Sequence, residues 1–233
     1  MENTRNNQNL NYINTNRNII IENPKSIEEV VENYGNDWTH LIIRNLGMVF
    51  DKKKDLSKIR FPKDKDFFKN IRGGEIRNVV MPILDYSIYN FEDIIFETVE
   101  FIDGSDLPKD FFKKINFYAS RGIELPSLDY REFDFLRARL TCHTFGRNSI
   151  LPYDLFEKIS TASAKNSLPP LDFSSFIMTE KAFECFRFHE DSIFPNKRDF
   201  FKVNYTWGMM TKLPKLDLNK YDLSNIKVRS IEF

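Results

Sequence analysis

Residues 84–101 have the sequence Leu-Asp-Tyr-Ser-Ile-Tyr-Asn-Phe-Glu-Asp-Ile-Ile-Phe-Glu-Thr-Val-Glu-Phe. A bulky residue recurs at every fifth position of this stretch, and a second apolar set lies two positions before it. The first set is Tyr86, Phe91, Phe96 and Phe101, and the second is Leu84, Tyr89, Ile94 and Val99. A step of five matches neither the 3.6-residue period of a helix nor the two-residue alternation of a strand. It therefore indicates a repeating architecture of another kind.

The block recurs three more times, each time after the signature Leu/Met-Pro-x-Leu-Asp. The signatures begin at Met81, Leu125, Leu168 and Leu213, at spacings of 44, 43 and 45 residues. The ladder continues as Tyr130, Phe135, Leu140 and Phe145, then Phe173, Met178, Phe183 and Phe188, then Leu218, Leu223, Val228 and Phe233. All these positions are apolar, which predicts four repeats of about 44 residues that bury one continuous core.

A second signature precedes each block and predicts a short amphipathic helix. A proline lies near its start, and apolar residues follow at i, i+1 and i+3 or i+4. The predicted helices, of two to three turns, cover residues 67–71, 111–115, 155–159 and 200–203. Helices this short are marginal alone, so we expect them to dock on the ladder.

The chain divides into three parts. Residues 1–22 are rich in Asn and are expected to be a flexible N-terminus, with Ile19–Ile21 as a first edge strand. Residues 23–59 resemble a degenerate capping repeat, with a helix from Ile27 and a five-residue step that ends before Lys53. Residues 60–233 are the predicted solenoid.

The order Leu-Asp-Tyr at 84–86 and 128–130, Leu-Asp-Phe at 171–173 and Leu-Asp-Leu at 216–218 resembles the pentapeptide-repeat family. The resemblance implies a right-handed square β-helix. Two departures are a bulky residue at i−2 and a helical insert in each repeat, so we expect a wider coil. The fold class is a repeat solenoid of β-helix-like coils, each preceded by a short α-helix. A leucine-rich-repeat-like α/β solenoid is the alternative.

Composition limits the class of protein. The 233 residues carry 34 basic and 34 acidic side chains, so no overall field favours nucleic acid. No apolar run has the length of a membrane span or the form of a signal peptide. We expect a cytoplasmic protein, either in its source cell or in a host cell after delivery.

No residue pattern indicates catalysis, a cofactor or a metal site. Cys142 and Cys185 hold equivalent places in adjacent repeats, so direct stacking of the repeats would bring them within disulfide range. With His143 and His189 they match no zinc spacing, which favours ordinary thiols. His143 is expected to be a hydrogen-bonded core residue. The Asp of each Leu-Asp signature (Asp85, Asp129, Asp172, Asp217) is expected to stack in a column and to accept turn amide hydrogens.

Charge is unevenly distributed along the chain. Residues 85–106 hold seven acidic side chains and no Lys or Arg, whereas residues 51–77 are predominantly basic. These charges either pair across neighbouring turns on a solvated face or form a partner surface. The candidate partner-binding residues are Glu92, Asp93, Glu97, Glu100, Asp103, Lys52, Lys53 and Lys54.

Three functions remain open from the sequence. The first is a non-enzymatic protein-binding solenoid, an inhibitor or effector from a phage or host-associated bacterium that occupies a partner protein. The second, implied by the family resemblance, is a DNA mimic that binds a topoisomerase or another nucleic-acid-handling enzyme. The third is an enzyme with an unrecognised site. Direct nucleic-acid binding is not expected, because the basic run lacks interleaved exposed aromatics.

The last ladder ends at Phe233 without a capping sequence. An open coil edge carries unpaired backbone groups and invites another chain. The sequence predicts a homodimer, or docking of the partner, through Leu218, Leu223, Val228 and Phe233.

Overall fold

The computed structural model describes residues 14–15, 18–116, 120–163, 166–196, 206–207, 211–212, 216–222, 227–228 and 231–232. Parallel strands joined by short helical turns dominate these residues. The strands are β1 (Asn14–Thr15), β2 (Asn18–Glu22), β3 (Leu41–Arg44), β4 (Met48–Asp55), β5 (Glu75–Met81), β6 (Ile95–Phe101), β7 (Arg121–Leu125), β8 (Arg139–Thr141), β9 (Thr144–Phe145), β10 (Thr161–Ser163), β11 (Asn166–Ser167), β12 (Phe186–Arg187), β13 (Thr206–Trp207), β14 (Thr211–Lys212), β15 (Lys227–Val228) and β16 (Ile231–Glu232). The helices are α1 (Ile27–Tyr34), α2 (Phe111–Lys114), α3 (Leu155–Lys158) and α4 (Glu180–Cys185), and 3-10 turns cover Phe68–Asn70, Arg72–Gly74, Tyr86–Ile88, Phe173–Ser175 and Leu218–Lys220.

The largest sheet has seven strands in the order β12-β11-β9-β7-β6-β5-β4, and every neighbouring pair in it is parallel. Among the described strands, antiparallel pairing is confined to β1 with β2, while β2 pairs in parallel with β3. Ile19–Ile21 therefore form a strand as predicted, but this strand, β2, is the central strand of a three-stranded sheet, and β1 lies at the edge. These strands also mean that part of the predicted flexible N-terminus is ordered, and its remaining residues (1–13 and 16–17) lie outside the described residues.

Paired strands are offset by about half of the predicted 44-residue unit. Ile76 pairs with Phe96, Glu97 with Arg121, and Glu124 with Thr144. The strand that follows each helical turn therefore lies between two ladder strands, and equivalent ladder strands do not stack directly. The expected column of Leu-Asp carboxylates is wrong for the same reason, since the isolated bridges pair Asp85 with Asp106 and Asp172 with Ile193.

The ladder forms the core. Of its twelve positions in the first three blocks all are buried except Met178, which packs partly buried against the core. The Phe91 ring lies 4.9 Å from Phe68 and 5.6 Å from Phe96, and Phe112 stacks on Phe135 at 4.6 Å. Ring contacts at these separations stabilise the core beyond the area they bury.

Left-handed residues explain the five-residue step. Phe96, Val99 and Phe101 are all buried, yet residues three apart in a regular strand point to opposite faces. Thr98 lies between Phe96 and Val99 with φ of 56°, which turns the strand so that both side chains reach the core. The same geometry recurs at other gaps of three, at Asn45, Asn78, Asp93, Arg137 and Cys142, with φ between 56° and 62°. A corner separates two buried residues by three positions and ordinary strand alternation separates the next two by two positions, which together make the step of five.

The predicted helices are present but shorter than expected, apart from α1. α2 and α3 have four residues each, and the first insert forms only the 3-10 turn Phe68–Asn70. Each stops because the next residue, Ile71, Ile115 or Ile159, is extended and buried in the core. The fourth predicted helix, 200–203, lies outside the described residues.

α4 was not predicted and interrupts the third ladder. Its segment Glu180–Cys185 is rich in strong helix formers, which offset the local five-residue pattern. Phe183 nevertheless remains buried.

Candidate functional site

The predicted charged surface is a network of ion pairs between neighbouring strands. Lys53 Nζ lies 2.5 Å from Glu100 Oε2 and 3.6 Å from Glu124 Oε1. Glu97 lies between two arginines, with Arg77 Nε at 3.1 Å and the Arg121 guanidinium in direct contact. The hydrogen bond from Arg121 holds the pKa of Glu97 below its usual range, and the hydrogen bond to Glu100 raises the pKa of Lys53. Glu97 and Glu100 are therefore neutralised by bases from adjacent strands, as the solvated-face alternative predicts for these two residues.

The remaining candidates of this surface make other contacts. Lys54 pairs with Glu28, and Lys69 pairs with Glu92 at 3.4 Å. Asp103 accepts hydrogen bonds from the backbone N–H of Ser127 at 2.6 Å and from its hydroxyl at 3.1 Å. Lys52 is exposed, and Asp93 is a left-handed corner residue. This pairing does not favour a DNA mimic, which needs a continuous uncompensated acidic surface.

A row of outward side chains crosses the sheet beside these pairs. Register places Glu100 next to Glu124, Glu124 next to Thr144, Thr144 next to Ser167, and Ser167 next to Arg187. A groove of about 590 Å³ follows the carboxyl ends of these strands and includes Asp103, Arg147 and His189 in its walls. A smaller recess of about 310 Å³ adjoins it and is lined by Arg187, Ser167 and His189.

The Leu-Asp turns form a second surface, which we call the turn face. Each Asp caps its own turn: Asp85 accepts the backbone N–H of Ser87, and Asp172 accepts that of Ser174. The expected turn-capping role is confirmed for these carboxylates. At Asp129 the hydrogen bond from Arg131 is the main cause that lowers the pKa of the carboxyl to about 2.

Large apolar side chains are exposed on the turn face. They are Ile83, Ile88, Ile150, Tyr153 and Ile193. The sequence analysis missed them because they lie off the five-residue ladder. The available signal was an isoleucine directly before Leu-Pro or Phe-Pro, as at 150 and 193, where the first two helical inserts have Arg60 and Asp106.

Two grooves open on the turn face at equivalent positions. One, of about 340 Å³, lies between Ile59–Lys63 and Pro82–Tyr89, and the other, of about 660 Å³, lies between Ile150–Asp154 and Leu171–Phe176. Buried prolines flank them, and a proline has no N–H to donate to the neighbouring turn. At the equivalent position between them, Lys109 Nζ lies 4.7 Å from the centre of the Phe133 ring.

A buried polar cluster links β11 to the chain segments on both sides of it, behind the groove at the strand ends. Asn166 Oδ1 accepts the backbone N–H of His143, and Asn166 Nδ2 donates to the carbonyl oxygens of Leu140 and Cys185. His143 is fully buried and its Nδ1 lies 2.8 Å from the Thr141 carbonyl oxygen, so Nδ1 carries the proton. His143 is thus a core residue, as predicted. Burial lowers its pKa to about 4.

Cys142 and Cys185 do not stack directly. The strand that contains Asn166 lies between the chain segments that carry them, and the two sulfur atoms do not form a disulfide. In the described ranges, no three His, Cys, Asp or Glu side chains are grouped closely enough to hold a metal ion.

The predicted C-terminal edge is only partly described. Leu218 begins a 3-10 turn, and Val228 lies in β15, which pairs in parallel with β13. Leu223 and Phe233 lie outside the described residues, so the homodimer or partner edge stays a prediction. No helix within the described part of the chain is long and apolar enough to cross a lipid bilayer.

Comparison with known proteins yields no match: no family model, curated protein or solved structure matches the chain.

Proposed function

We propose that this chain is a non-enzymatic protein-binding solenoid and that the turn face is its binding surface. In this proposal the protein is an inhibitor or effector from a phage or a host-associated bacterium, and it acts by occupying a partner in the cytoplasm of its source or host cell. Repeat proteins of this kind commonly bind partners along an extended rigid surface.

Two rows of backbone pairing support the solenoid winding. The seven strands of the largest sheet, from β4 to β12 without β8 and β10, pair in chain order, and a second row of bridges joins turn residues such as Asp85 with Asp106 and Asp129 with Ile150. The left-handed corners supply the turns that a coil of five-residue faces requires. The proposed winding resembles that of the pentapeptide-repeat family.

The exposure of large apolar residues beside two grooves carries the binding proposal. Ile83 is 60 % exposed, Tyr153 58 % and Ile193 59 %, whereas many other isoleucine and tyrosine side chains of the described repeats are buried in the core. Apolar groups clustered on a polar surface are typical of protein-binding sites. The backbone that carries these side chains is held in place by bridges and capped turns, so binding need not order the backbone.

The charges of the turn face indicate the partner chemistry. Asp85 and Asp106 are bridge neighbours, and no Lys or Arg among the described residues forms an ion pair with either carboxylate. We therefore propose a partner segment that combines apolar anchors with Lys or Arg, since opposite charges steer association and fix register.

A displayed random-peptide library selected on the full chain tests this function. We expect enriched peptides that combine apolar residues with Lys or Arg, and we expect Ile83→Glu and Ile150→Glu, each in the wall of one groove, to abolish their binding. Leu136→Glu is the matched control, because Leu136 is 64 % exposed but does not line either groove. Equal binding by all three variants, or no enrichment, would overturn the proposal.

A further inference from the structure

The two ends of the outward row are not equivalent. At one end Glu100 and Glu124 are neighbours, and Lys53 neutralises them. At the other end Arg187 has no such counterion: its Nε is buried without a hydrogen-bond partner, and no described residue forms an ion pair with its guanidinium. An arginine that is half-buried and unpaired loses hydration without compensation.

Six other arginines have carboxylate counterions, and Arg72 donates to the Pro24 carbonyl oxygen. Arg44, Arg60, Arg77, Arg121, Arg131 and Arg147 each pair with a carboxylate. The Arg187 side chain instead points to the outer face of the sheet, because its neighbours Phe186 and Phe188 are both buried.

Hydroxyl groups lie beside Arg187 in the same row. Ser167 is its register partner and Thr144 is the next residue along. Both point outward, since Asn166 and Leu168 flank Ser167 and are buried, and His143 and Phe145 flank Thr144 and are buried. Adjacent strands are ~4.8 Å apart, so the two hydroxyls and the guanidinium fall within the span of one small ligand.

Two further donors line the groove that adjoins the recess at Arg187. Arg147 uses one terminal nitrogen to contact Asp191 at 3.1 Å, and its side chain is 69 % exposed. His189 Nδ1 accepts the backbone N–H of Asp191 at 3.1 Å, so its ring proton is on Nε2. His189 lines both the groove and the adjoining recess.

We propose that Arg187, with Ser167, Thr144, His189 and Arg147, forms a binding subsite for an oxyanion, the phosphate or carboxylate group of a ligand. A guanidinium binds such groups through parallel N–H bonds, and hydroxyls donate to the remaining oxygens. The oxyanion would be the counterion of Arg187, just as Lys53 is the counterion of Glu100 and Glu124 at the other end of the row. This subsite lies on the sheet surface and is independent of the peptide-binding proposal for the turn face.

Calorimetric titration of the full chain with inorganic phosphate, phosphoserine and succinate tests the subsite. We expect saturable binding of at least one probe, and a loss of about tenfold or more in affinity for Arg187→Gln, because hydrogen bonds to a charged group are removed. Binding of phosphoserine alone indicates a phosphorylated ligand, and binding of succinate alone indicates a carboxylate ligand; both support the subsite.

The controls separate binding from folding. Arg131→Gln removes an arginine from the turn face and should leave the affinity unchanged. If Arg187→Gln lowers the thermal midpoint, Arg147→Gln replaces it, because an exposed side chain tolerates substitution, and it should also weaken binding. No saturable binding of any probe, or an affinity that neither variant changes, would overturn the proposal.

Discussion

Asn166 is hydrogen-bonded to His143 inside the protein: the side-chain oxygen of Asn166 accepts the His143 backbone N–H at 2.9 Å. Its amide nitrogen donates to Leu140 at 3.2 Å and to Cys185 at 3.3 Å. One fully buried side chain therefore satisfies backbone groups of the chain segments on both sides of it, close to the left-handed corner at Cys142.

Replacement of Asn166 by alanine should destabilise the protein by about 3 kcal/mol, because buried backbone groups would lose their partners. Urea unfolding followed by circular dichroism measures the change. Asn148→Ala is the control: its side chain is exposed, and we expect a change within about 0.5 kcal/mol. An equal, small change in both variants would contradict this role.

His143 should make the fold sensitive to acid. Burial lowers its pKa from 6.5 to about 4, so the folded state favours the neutral ring. The unfolded chain takes up a proton below pH 6.5, and the folded chain does so only near pH 4. Stability is thus complete above pH 6.5 and falls as the pH decreases to 4, by up to ~3 kcal/mol.

The difference in unfolding free energy between wild type and His143→Val, measured from pH 7.5 to 4, isolates this effect. Val99 occupies the equivalent place in the first ladder and is buried, so valine suits the site. As the pH falls to 4, wild type should lose up to ~3 kcal/mol of unfolding free energy relative to the variant. A difference that is constant with pH would contradict the prediction.

Thr98 holds a left-handed conformation that β-branched residues disfavour, with φ of 56°. Asn78, in the neighbouring strand, has the same φ with a residue that tolerates it. Thr98→Asn should therefore stabilise the protein by about 1 kcal/mol, measured as a rise in the urea midpoint. Thr144→Asn, at an exposed strand position with ordinary φ, should give no gain.

Gly146 packs directly against the turn before the second ladder. A Cβ at this position would lie 2.4 Å from the Ser127 backbone nitrogen and 2.8 Å from the Pro126 carbonyl carbon. Gly146→Ala should destabilise by about 2 kcal/mol, because backbone atoms must move. At Gly47 the nearest atom is the end of a flexible arginine side chain 3.9 Å away, so Gly47→Ala should be nearly neutral. Thermal unfolding of both variants and of wild type measures the two changes.

The buried ladder was predictable because each position repeats in several copies. Phe91, Phe135 and Phe183 are buried in three different local settings, including α4. The stacking order was not predictable from the 44-residue period. Strands after the helical inserts carry the same spacing over a shorter stretch. In β5, Ile76, Val79 and Met81 are buried around the left-handed Asn78, so this strand can pair with β6 and occupy a place beside a ladder strand.

The candidate sites were less accessible from sequence. The charged residues around Glu97 in the sequence are acidic and include no Lys or Arg. Only the pairing of β6 with β5 and β7 brings Arg77 and Arg121 beside Glu97. Arg187 gives no local signal, because its lack of a counterion depends on strands 20 residues before it. Asn and Asp favour the left-handed conformation, so the corners at Asn45, Asn78 and Asp93 could be predicted from residue type. The other three corners could not, because they lie at Thr98, Arg137 and Cys142.

Lys109 above Phe133 has a consequence for valency. Lys109 lies at the place equivalent to the two open grooves, so under the proposed function we expect this side chain to decide whether that copy receives a ligand segment. A single substitution there would then change the number of segments bound along the turn face, and occupation of several grooves by one linked partner would raise avidity without any new backbone structure.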